Sequence, residues 1–236
     1  MTLLELTDVT ASYGPVQVLD GVSLTVPDGG AVGILGANGA GKTTTLRAIS
    51  GAVRVGGSIT FDGENIVGLR PEQVAARGIA HVPEGRGTLS DLSVRENLRV
   101  GAYLRSDRKQ IAEDIDYCLD LFPQLRNRVK SNGSALSGGE QQMLAVARGF
   151  MAKPRLLLLD ETSLGLAPST AKNVYEAVGR LRRESGIAMI VVEQNANLAF
   201  TLVDSATVLE TGRSVLSGTT EELRDRDEIR RAYLGG

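Results

Sequence analysis

The chain has 236 residues, with 26 basic and 28 acidic side chains and a formal net charge of −2, a length that suits one large domain or a domain with a small insert. Nucleic-acid-binding proteins carry a basic excess that is missing here, so we expect no nucleic acid as a partner. A lone cysteine (Cys118) and a lone histidine (His81) exclude an internal disulfide and a Cys/His zinc site. The longest apolar run is the six residues 187–192, far below the ~20 that cross a bilayer. The N-terminus has no signal-peptide pattern, so we expect a cytosolic protein.

Strand patterns dominate the first third of the chain. Val22, Leu24 and Val26 alternate with polar residues at period two, whereas Ala31 to Leu35 is a continuous apolar run typical of a buried parallel strand. A glycine-rich turn follows this run. The predicted elements are strands near 4–9, 22–26, 31–35, 58–61 and 79–82, and helices at 43–50 and 71–77.

The middle of the chain, from about Leu92 to Lys153, has apolar residues every three to four positions and predicts helices. The remaining predicted elements are strands at 156–159, 187–192 and 206–209, a helix at 169–184 with Ser169 as its N-cap, and a hairpin at 211–212. Strands that alternate with helices on a parallel sheet, interrupted by a helical insert, predict an α/β core with a helical subdomain.

A phosphate-binding loop is predicted directly between a strand and a helix. The pattern G-x-x-x-x-G-K-[ST] is matched in full by Gly36, Ala37, Asn38, Gly39, Ala40, Gly41, Lys42 and Thr43. Its glycines let backbone N–H groups surround phosphate oxygens, and the helix N-terminus adds its dipole. Lys42 can reach the outer phosphates and the Thr43 hydroxyl can ligate Mg²⁺. The motif predicts the binding of a nucleotide together with Mg²⁺.

Two carboxylates end the apolar strand 156–159. Asp160 is predicted to hold the Mg²⁺ shell, and Glu161 can polarise an attacking water. A buried strand that ends in solvated acidic residues without any function is common. A phosphate loop upstream in the same chain favours the functional interpretation of the two carboxylates.

A second anion site is predicted where Ser137, Gly138 and Gly139 precede a helix. The string Leu136 to Gln142 resembles the signature of the ABC-transporter ATPase family, in which this site caps the γ-phosphate held by the opposite subunit. The resemblance covers essentially the whole chain. It is nearest to the second ATPase subunit (LivF-type) of branched-chain amino acid importers, through the strings 82–86, 163–168, 192–197 and 232–236.

The resemblance implies a P-loop NTPase core at about 1–87 and 154–236, with an N-terminal antiparallel β-subdomain, and an inserted helical subdomain at about 88–153. Tyr13 stands where the family stacks an aromatic ring on adenine, with Val18 beside it, and Thr44 is a further nucleotide contact. The implied partners are a second ATPase chain, two transmembrane permease subunits and an extracytoplasmic solute-binding protein, at the cytoplasmic face of the membrane.

Two departures from the family pattern, at Glu84 and Gln194, bear on chemistry. Glu84 stands where most members have a glutamine that senses Mg²⁺ and the transmembrane partner, and a carboxylate can still ligate the metal. Gln194 stands at the position of the switch histidine; it can donate a hydrogen bond to phosphate but cannot carry a positive charge. Thr162 replaces the proline that usually follows the catalytic glutamate, and Ala167 replaces a frequent aspartate. His81 we interpret as a packed strand residue.

Several functions remain open on these residues. The first is an ATPase subunit of a branched-chain amino acid importer, with Lys42, Glu161 and Gln194 as its catalytic residues. The second is the related subunit of a urea or short-chain amide importer. The others are a soluble ABC ATPase of DNA repair or translation, an ordinary kinase or GTPase, and a regulator that lacks turnover. The solute is outside the reach of the sequence because other subunits recognise it.

Overall fold

The structure, a computed structural model, describes residues 1–85, 87–226 and Ile229. Residue Arg86 and the terminal string 232–236, which contribute to the family resemblance, lie outside the described residues. None of the helices among the described residues has the length and apolar character needed to cross a bilayer.

Two sheets organise the chain. The first is antiparallel, with strand order β2-β1-β4-β5; the second has the order β10-β9-β3-β8-β7-β6 and is parallel except at its β9–β10 edge. The strands are β1 (Thr2–Tyr13), β2 (Val16–Pro27), β3 (Ala31–Leu35), β4 (Val55–Phe61), β5 (Glu64–Asn65), β6 (Ile79–Val82), β7 (Leu156–Asp160), β8 (Ala188–Glu193), β9 (Ser205–Glu210) and β10 (Arg213–Thr219).

Helices connect the parallel strands and fill the stretch between β6 and β7. They are α1 (Lys42–Ile49), α2 (Pro71–Ala76), α3 (Val94–Gly101), α4 (Arg108–Leu121), α5 (Pro123–Arg126), α6 (Gly138–Met151), α7 (Pro168–Ser185), α8 (Ala196–Ala199) and α9 (Thr220–Arg224), with a short 3-10 turn at Gly133–Ala135. The predicted fold class, an α/β core with an antiparallel N-terminal sheet and a helical insert, is confirmed.

The mostly parallel sheet separates two hydrophobic cores, and this explains its continuous apolar strands. In β7, Leu157 and Leu159 pack with the helical insert, while Leu156 and Leu158 pack with α1 and the antiparallel sheet. All four leucines are fully buried or nearly so. A strand that lies between two cores needs apolar residues on both faces, which removes the alternation seen in β2.

One predicted cap is wrong. Helix α7 begins at Pro168, its N-cap is Ala167, and no side chain caps it. The proline ring presets the backbone angle of the first helical residue, so the helix begins one residue before Ser169. The predicted hairpin at 211–212 is confirmed, since these two residues join β9 to its antiparallel partner β10. The strand β5 and the helices α8 and α9 have no counterpart among the predicted elements.

Candidate functional site

A cleft of about 330 Å³ opens at the carboxyl ends of the parallel strands, where α1 begins. The loop between β3 and α1 forms one side, and residues that follow β7 and β8 form the other. The lining residues are Val18, Asn38, Gly39, Gly41, Lys42, Thr43, Thr44, Glu84, Glu161, Leu164 and Gln194.

The turn into α1 depends on Gly41. Its φ of 105° lies in the left-handed region, and a Cβ there would meet Leu19 Cδ2 at 2.8 Å. Only glycine adopts this conformation without strain and also fits against β2. The chain therefore enters α1 with its first N–H groups directed at the cleft, which is the arrangement that binds phosphate.

Lys42 is held at the base of the cleft and is 4% exposed. Its Nζ donates to the carbonyl oxygens of Gly36 at 2.9 Å and Ala37 at 3.2 Å, and it lies 3.0 Å from Glu161 Oε1. A buried ammonium needs such partners because an uncompensated charge in the interior is costly. The ammonium is thus aimed at the space that an anionic ligand would enter.

Asp160 carries a carboxylate oxygen that has no hydrogen-bond partner. Its Oδ1 accepts from Thr43 Oγ1 at 3.1 Å, whereas the buried Oδ2 is unpaired and lies 4.0 Å from His81 Nε2, which is also unpaired. Burial raises the pKa of Asp160 to about 6, and the charges of Glu161 and Glu84 add to the shift. Burial and the charge of Arg47 lower the pKa of His81 to about 4, so this imidazole is neutral at pH 7.

The Thr43 hydroxyl and the Asp160 carboxylate together fit a magnesium ion. Mg²⁺ binds through one or two protein oxygens and completes its shell with water and substrate phosphates. A hydroxyl beside a carboxylate with a free buried oxygen meets that requirement, and a divalent cation would remove the cost of the buried charge. No group of three or more His, Cys, Asp or Glu side chains that could hold a metal ion occurs in residues 1–85, 87–226 and 229.

Glu161 and Gln194 face one another across the cleft. Gln194 Nε2 lies 3.5 Å from Glu161 Oε1 and also donates to Asn38 Oδ1. The backbone of Glu161 has a φ of 44°, which is uncommon for a residue other than glycine, and its N–H donates to the Val192 carbonyl at 3.0 Å. Strained backbone of this kind persists where surrounding contacts hold it, often at functional sites.

The remaining predicted nucleotide contacts divide into two groups. Val18 and Thr44 line the cleft, as does Glu84. Tyr13 is not part of the described lining; its ring is 41% exposed, and its hydroxyl accepts a hydrogen bond from Arg47 Nη1 at 3.3 Å. Adenine stacking by Tyr13 therefore stays a prediction.

The signature residues lie at the start of α6, away from the chain's own cleft as far as its lining is described. Ser137 caps the helix: its Oγ accepts from Glu140 N at 3.3 Å, and Glu140 Oε2 accepts from Ser137 N at 2.7 Å. A Cβ on Gly139 would meet Thr170 Cγ2 of α7 at 2.5 Å, so close helix packing as well as ligand approach accounts for this glycine. The second anion site at the N-terminus of α6 stays a prediction.

Two further residues border the cleft that the motifs did not identify. Leu164 is 52% exposed and lines both this cleft and a neighbouring one of about 300 Å³, with Glu84 and Glu161. Gln142 of α6 is 4% exposed, and its unpaired Nε2 lies in the lining of that second cleft. Both residues lie within the motif strings of the sequence, but the sequence did not show that their side chains border a cleft.

Together the sheet order, the glycine loop and the paired carboxylates define a nucleotide-binding protein of the P-loop class. The ABC transporter family matches residues 19–163 of the chain, which is more than half of it. The chain belongs to this family and is an ATP-binding subunit that couples ATP hydrolysis to transport.

Curated relatives extend over the whole chain. The "High-affinity branched-chain amino acid transport ATP-binding protein BraG" of Pseudomonas aeruginosa is 45% identical over 99% of this chain and 100% of its own. The probable branched-chain amino acid transport protein LivF of Archaeoglobus fulgidus is 32% identical, with 99% of each chain covered. The lipopolysaccharide export protein LptB of Haemophilus influenzae is 33% identical over 100% of this chain and 98% of its own.

Solved structures share the fold. An ATP-binding cassette of an ABC transporter in its ADP conformation superposes with a TM-score of 0.84, at 22% identity and full coverage of both chains. A dimeric cassette bound to ADP and Pi gives a TM-score of 0.83 at 22% identity, over 92% of this chain and 99% of that one.

Proposed function

We propose that the cleft holds MgATP and that this chain hydrolyses it in an importer for branched-chain amino acids. The observation that carries the ATP site is Lys42, buried beneath the loop and aimed into the cleft with Glu161 as its nearest anion. Thr43 and Asp160 would hold Mg²⁺, and Glu84 is a third candidate oxygen ligand from the rim. Bound Mg²⁺ supplies charge neutralisation for the phosphates.

The Lys42–Glu161 pair indicates how binding and hydrolysis are linked. The two charged groups are 3.0 Å apart and both are 9% exposed or less. Phosphate oxygens bind Lys42 in competition with Glu161, since both are anions that the same ammonium can pair with. Once Lys42 turns to phosphate, the carboxylate of Glu161 is free to accept a proton from water, and Gln194 Nε2 is near enough to orient the same group.

The second anion site points to a paired assembly. Ser137, Gly138 and Gly139 sit at a helix N-terminus that this chain's own cleft does not use. We propose that they close the nucleotide site of a second ATPase chain, as the family resemblance implies and as the dimeric cassette with ADP and Pi supports. Two permease subunits would hold the pair at the cytoplasmic face of the membrane, and a solute-binding protein would deliver the cargo.

The solute class rests on relatives and not on the site. The branched-chain amino acid relative is 45% identical, whereas the lipopolysaccharide export relative is 33% identical. We therefore favour a branched-chain amino acid importer over other cargo, including urea and short amides. Restoration of leucine uptake, and not of urea uptake, in a bacterium whose own subunit is deleted would support this choice; the reverse result would refute it.

The substitution Glu161→Gln tests the hydrolytic role. We expect ATP binding to persist, because Lys42 and the glycine loop are intact, while hydrolysis falls by about a thousandfold or more. ATP-bound pairs of chains should then accumulate, which size-exclusion chromatography with and without MgATP would show. The matched control is Glu176→Gln on the exposed face of α7, which pairs with Lys172. Hydrolysis by Glu161→Gln at the wild-type rate would place the base elsewhere.

A further inference from the structure

A carboxylate outside the recognised motifs is buried directly behind the site. Glu193 ends β8 and is 2% exposed. Its Oε1 accepts from Tyr175 OH at 2.5 Å and from Ser163 N at 3.1 Å, and its Oε2 accepts from Ser163 Oγ at 2.8 Å. We name these three residues (Glu193, Tyr175 and Ser163) the bracket.

Within the part of the chain that the structure describes, Glu193 forms no ion pair with a cation, so burying its carboxyl group costs free energy. Burial raises the pKa of Glu193, and burial together with the Glu193 charge raises the pKa of Tyr175 well above its usual value. Three donated hydrogen bonds offset part of the cost of burying the carboxyl group. An apolar side chain would fill the same volume without that cost, so packing alone does not account for a glutamate here.

The bracket joins the two segments that carry the proposed catalytic groups. Glu193 immediately precedes Gln194, and Ser163 follows Glu161 by two positions. The end of β8 also accepts the Glu161 N–H at the Val192 carbonyl, 3.0 Å away. The segment 161–163 is therefore attached to β8 at both of its ends, and the left-handed backbone of Glu161 lies between these attachments.

Tyr175 supports the bracket from α7. Its hydroxyl, which donates to Glu193, accepts a hydrogen bond from Thr162 Oγ1 at 3.4 Å. Thr162 stands where the family resemblance expects proline, which has no side-chain donor. The threonine thus adds a further link between the segment 161–163 and the buried carboxylate.

We propose that Glu193 is a positioning residue that fixes Glu161 relative to Gln194 by holding Ser163 and Tyr175. The side-chain hydrogen bonds of the bracket go to one another and to Thr162, and not to the phosphate loop or to Thr43, Glu84 and Asp160, so we expect the bracket to act on the hydrolytic step and not on ATP binding. This inference rests on the proposed role of Glu161 in hydrolysis.

The test measures ATP affinity and single-turnover hydrolysis separately, with the full chain in excess over ATP and Mg²⁺ present. The variants are Tyr175→Phe, Ser163→Ala, Ser163→Thr and Glu193→Gln. The matched control is Tyr117→Phe, because Tyr117 OH donates to the carboxylate of Glu184 at 2.8 Å, in the same chemistry but between α4 and α7.

We expect Tyr175→Phe, Ser163→Ala and Glu193→Gln each to slow hydrolysis by roughly ten- to a hundredfold, because small misplacements of a catalytic group have effects of that size. The ATP dissociation constant should change by less than about twofold, since these variants keep the contacts that bind ATP in the ground state. Ser163→Thr, which keeps the hydroxyl, should restore most of the rate, and Tyr117→Phe should match the wild type.

Two results would overturn the proposal, and a parallel measurement separates it from the proposed function. Wild-type hydrolysis by Tyr175→Phe and Ser163→Ala would remove the positioning role, and so would loss of ATP binding in step with hydrolysis. If Glu161→Gln is slow while the bracket variants are normal, the bracket alone fails. If Glu161→Gln hydrolyses normally, the proposed hydrolytic role of Glu161 fails and the positioning role of the bracket fails with it.

Discussion

At the scale of single residues, the site is a set of buried charges that compensate one another. Lys42 neutralises Glu161 at 3.0 Å, whereas the Asp160 carboxylate accepts from the Thr43 hydroxyl and, among the described residues, keeps its other oxygen unpaired. Attraction between charges is strong where water is excluded, and so is the penalty for a charge without a partner. The site is thus arranged for the ligand that would complete it, a phosphate for Lys42 and a cation for Asp160.

The substitution Lys42→Ala should weaken MgATP binding at least about thirtyfold, since truncating one partner of a buried charged contact costs about 2 kcal/mol or more. Isothermal titration calorimetry measures this directly. Lys172→Ala on the surface of α7, where the lysine is exposed, is the control and should bind normally. Equal affinity in Lys42→Ala and the wild type would show that the cleft does not bind phosphates through this residue.

The raised pKa of Asp160 predicts a pH-dependent stability in the absence of magnesium and nucleotide. The folded protein keeps the Asp160 proton up to about pH 6, whereas the unfolded chain releases it near its ordinary value of 3.8. The unfolded state therefore binds fewer protons in this window, and the free energy of unfolding falls as the pH rises through it.

Asp160→Asn removes this penalty. We expect a gain of about 1–2 kcal/mol in the free energy of unfolding at pH 7.5, which disappears near pH 4. Urea unfolding in a chelator at both pH values measures the gain. The control is Asp62→Asn, because Arg155 lowers the pKa of Asp62, so its removal should not stabilise the protein at either pH. An equal gain for Asp160→Asn at both pH values would refute the assignment.

At the scale of elements, the N-termini of helices α1 and α6 carry the proposed anion-binding groups. The first residues of α1 line the cleft, whereas Ser137, which caps α6, is not among the lining residues. Helix α7 packs against α6 so closely that Gly139 has no room for a side chain beside Thr170. The position of the second anion site is therefore set by helix packing as well as by its sequence.

This contact predicts a compensating pair of substitutions. Gly139→Ala should destabilise the protein by about 1–3 kcal/mol, because its Cβ would lie 2.5 Å from Thr170 Cγ2, and this exceeds the helix propensity that alanine adds. Thr170→Ser removes that methyl group, so the double variant should recover most of the loss. Urea unfolding of the two single variants and the double variant forms the test, and additive losses would contradict the contact.

At the scale of the whole molecule, Ser137, Gly138 and Gly139 are not among the residues that line the chain's own nucleotide cleft, so we propose that one chain does not complete its own site. Closing it requires a second ATPase chain in our proposal, and Gln194 makes the resulting two sites unequal if the partner carries a histidine at this position. Neutral glutamine donates a hydrogen bond to a phosphate oxygen, but it does not supply a positive charge.

We therefore expect the isolated chain to bind MgATP and hydrolyse it slowly, with activity rising when the partner chain and the permease subunits are added. The loss of one oriented donor to developing charge is worth about 10²–10³ in rate, so Gln194→Ala should slow the assembled complex measurably. Steady-state ATPase assays of the chain alone and of the complex provide the comparison. Full turnover by the isolated chain, or no effect of Gln194→Ala in the complex, would refute this asymmetry.

The local motifs were predictable because their chemistry lies within a few consecutive residues. The phosphate loop, the strand ending in Asp160 and Glu161, and the helix start at Ser137 each combine a turn or cap with a periodic segment, and all three lie at the ends of their predicted elements. Sheet strands β3, β7 and β8 were predicted to within one residue at each end, since buried parallel strands have continuous apolar runs. The α7 cap was wrong because Pro168 outweighed the capping preference of Ser169.

The sequence by itself determined the class of nucleotide site. Glycines, a lysine and a hydroxyl at this fixed spacing, between a strand and a helix, are the groups that surround phosphate oxygens and a metal ion. Only the tertiary structure decided which groups meet. Lys42 pairs with Glu161, Gln194 reaches the same carboxylate, and Glu193 brackets Ser163 and Tyr175. These contacts join residues that are far apart in the chain. The order of strands in the sheet brings them to one edge, and no local sequence pattern predicts that order.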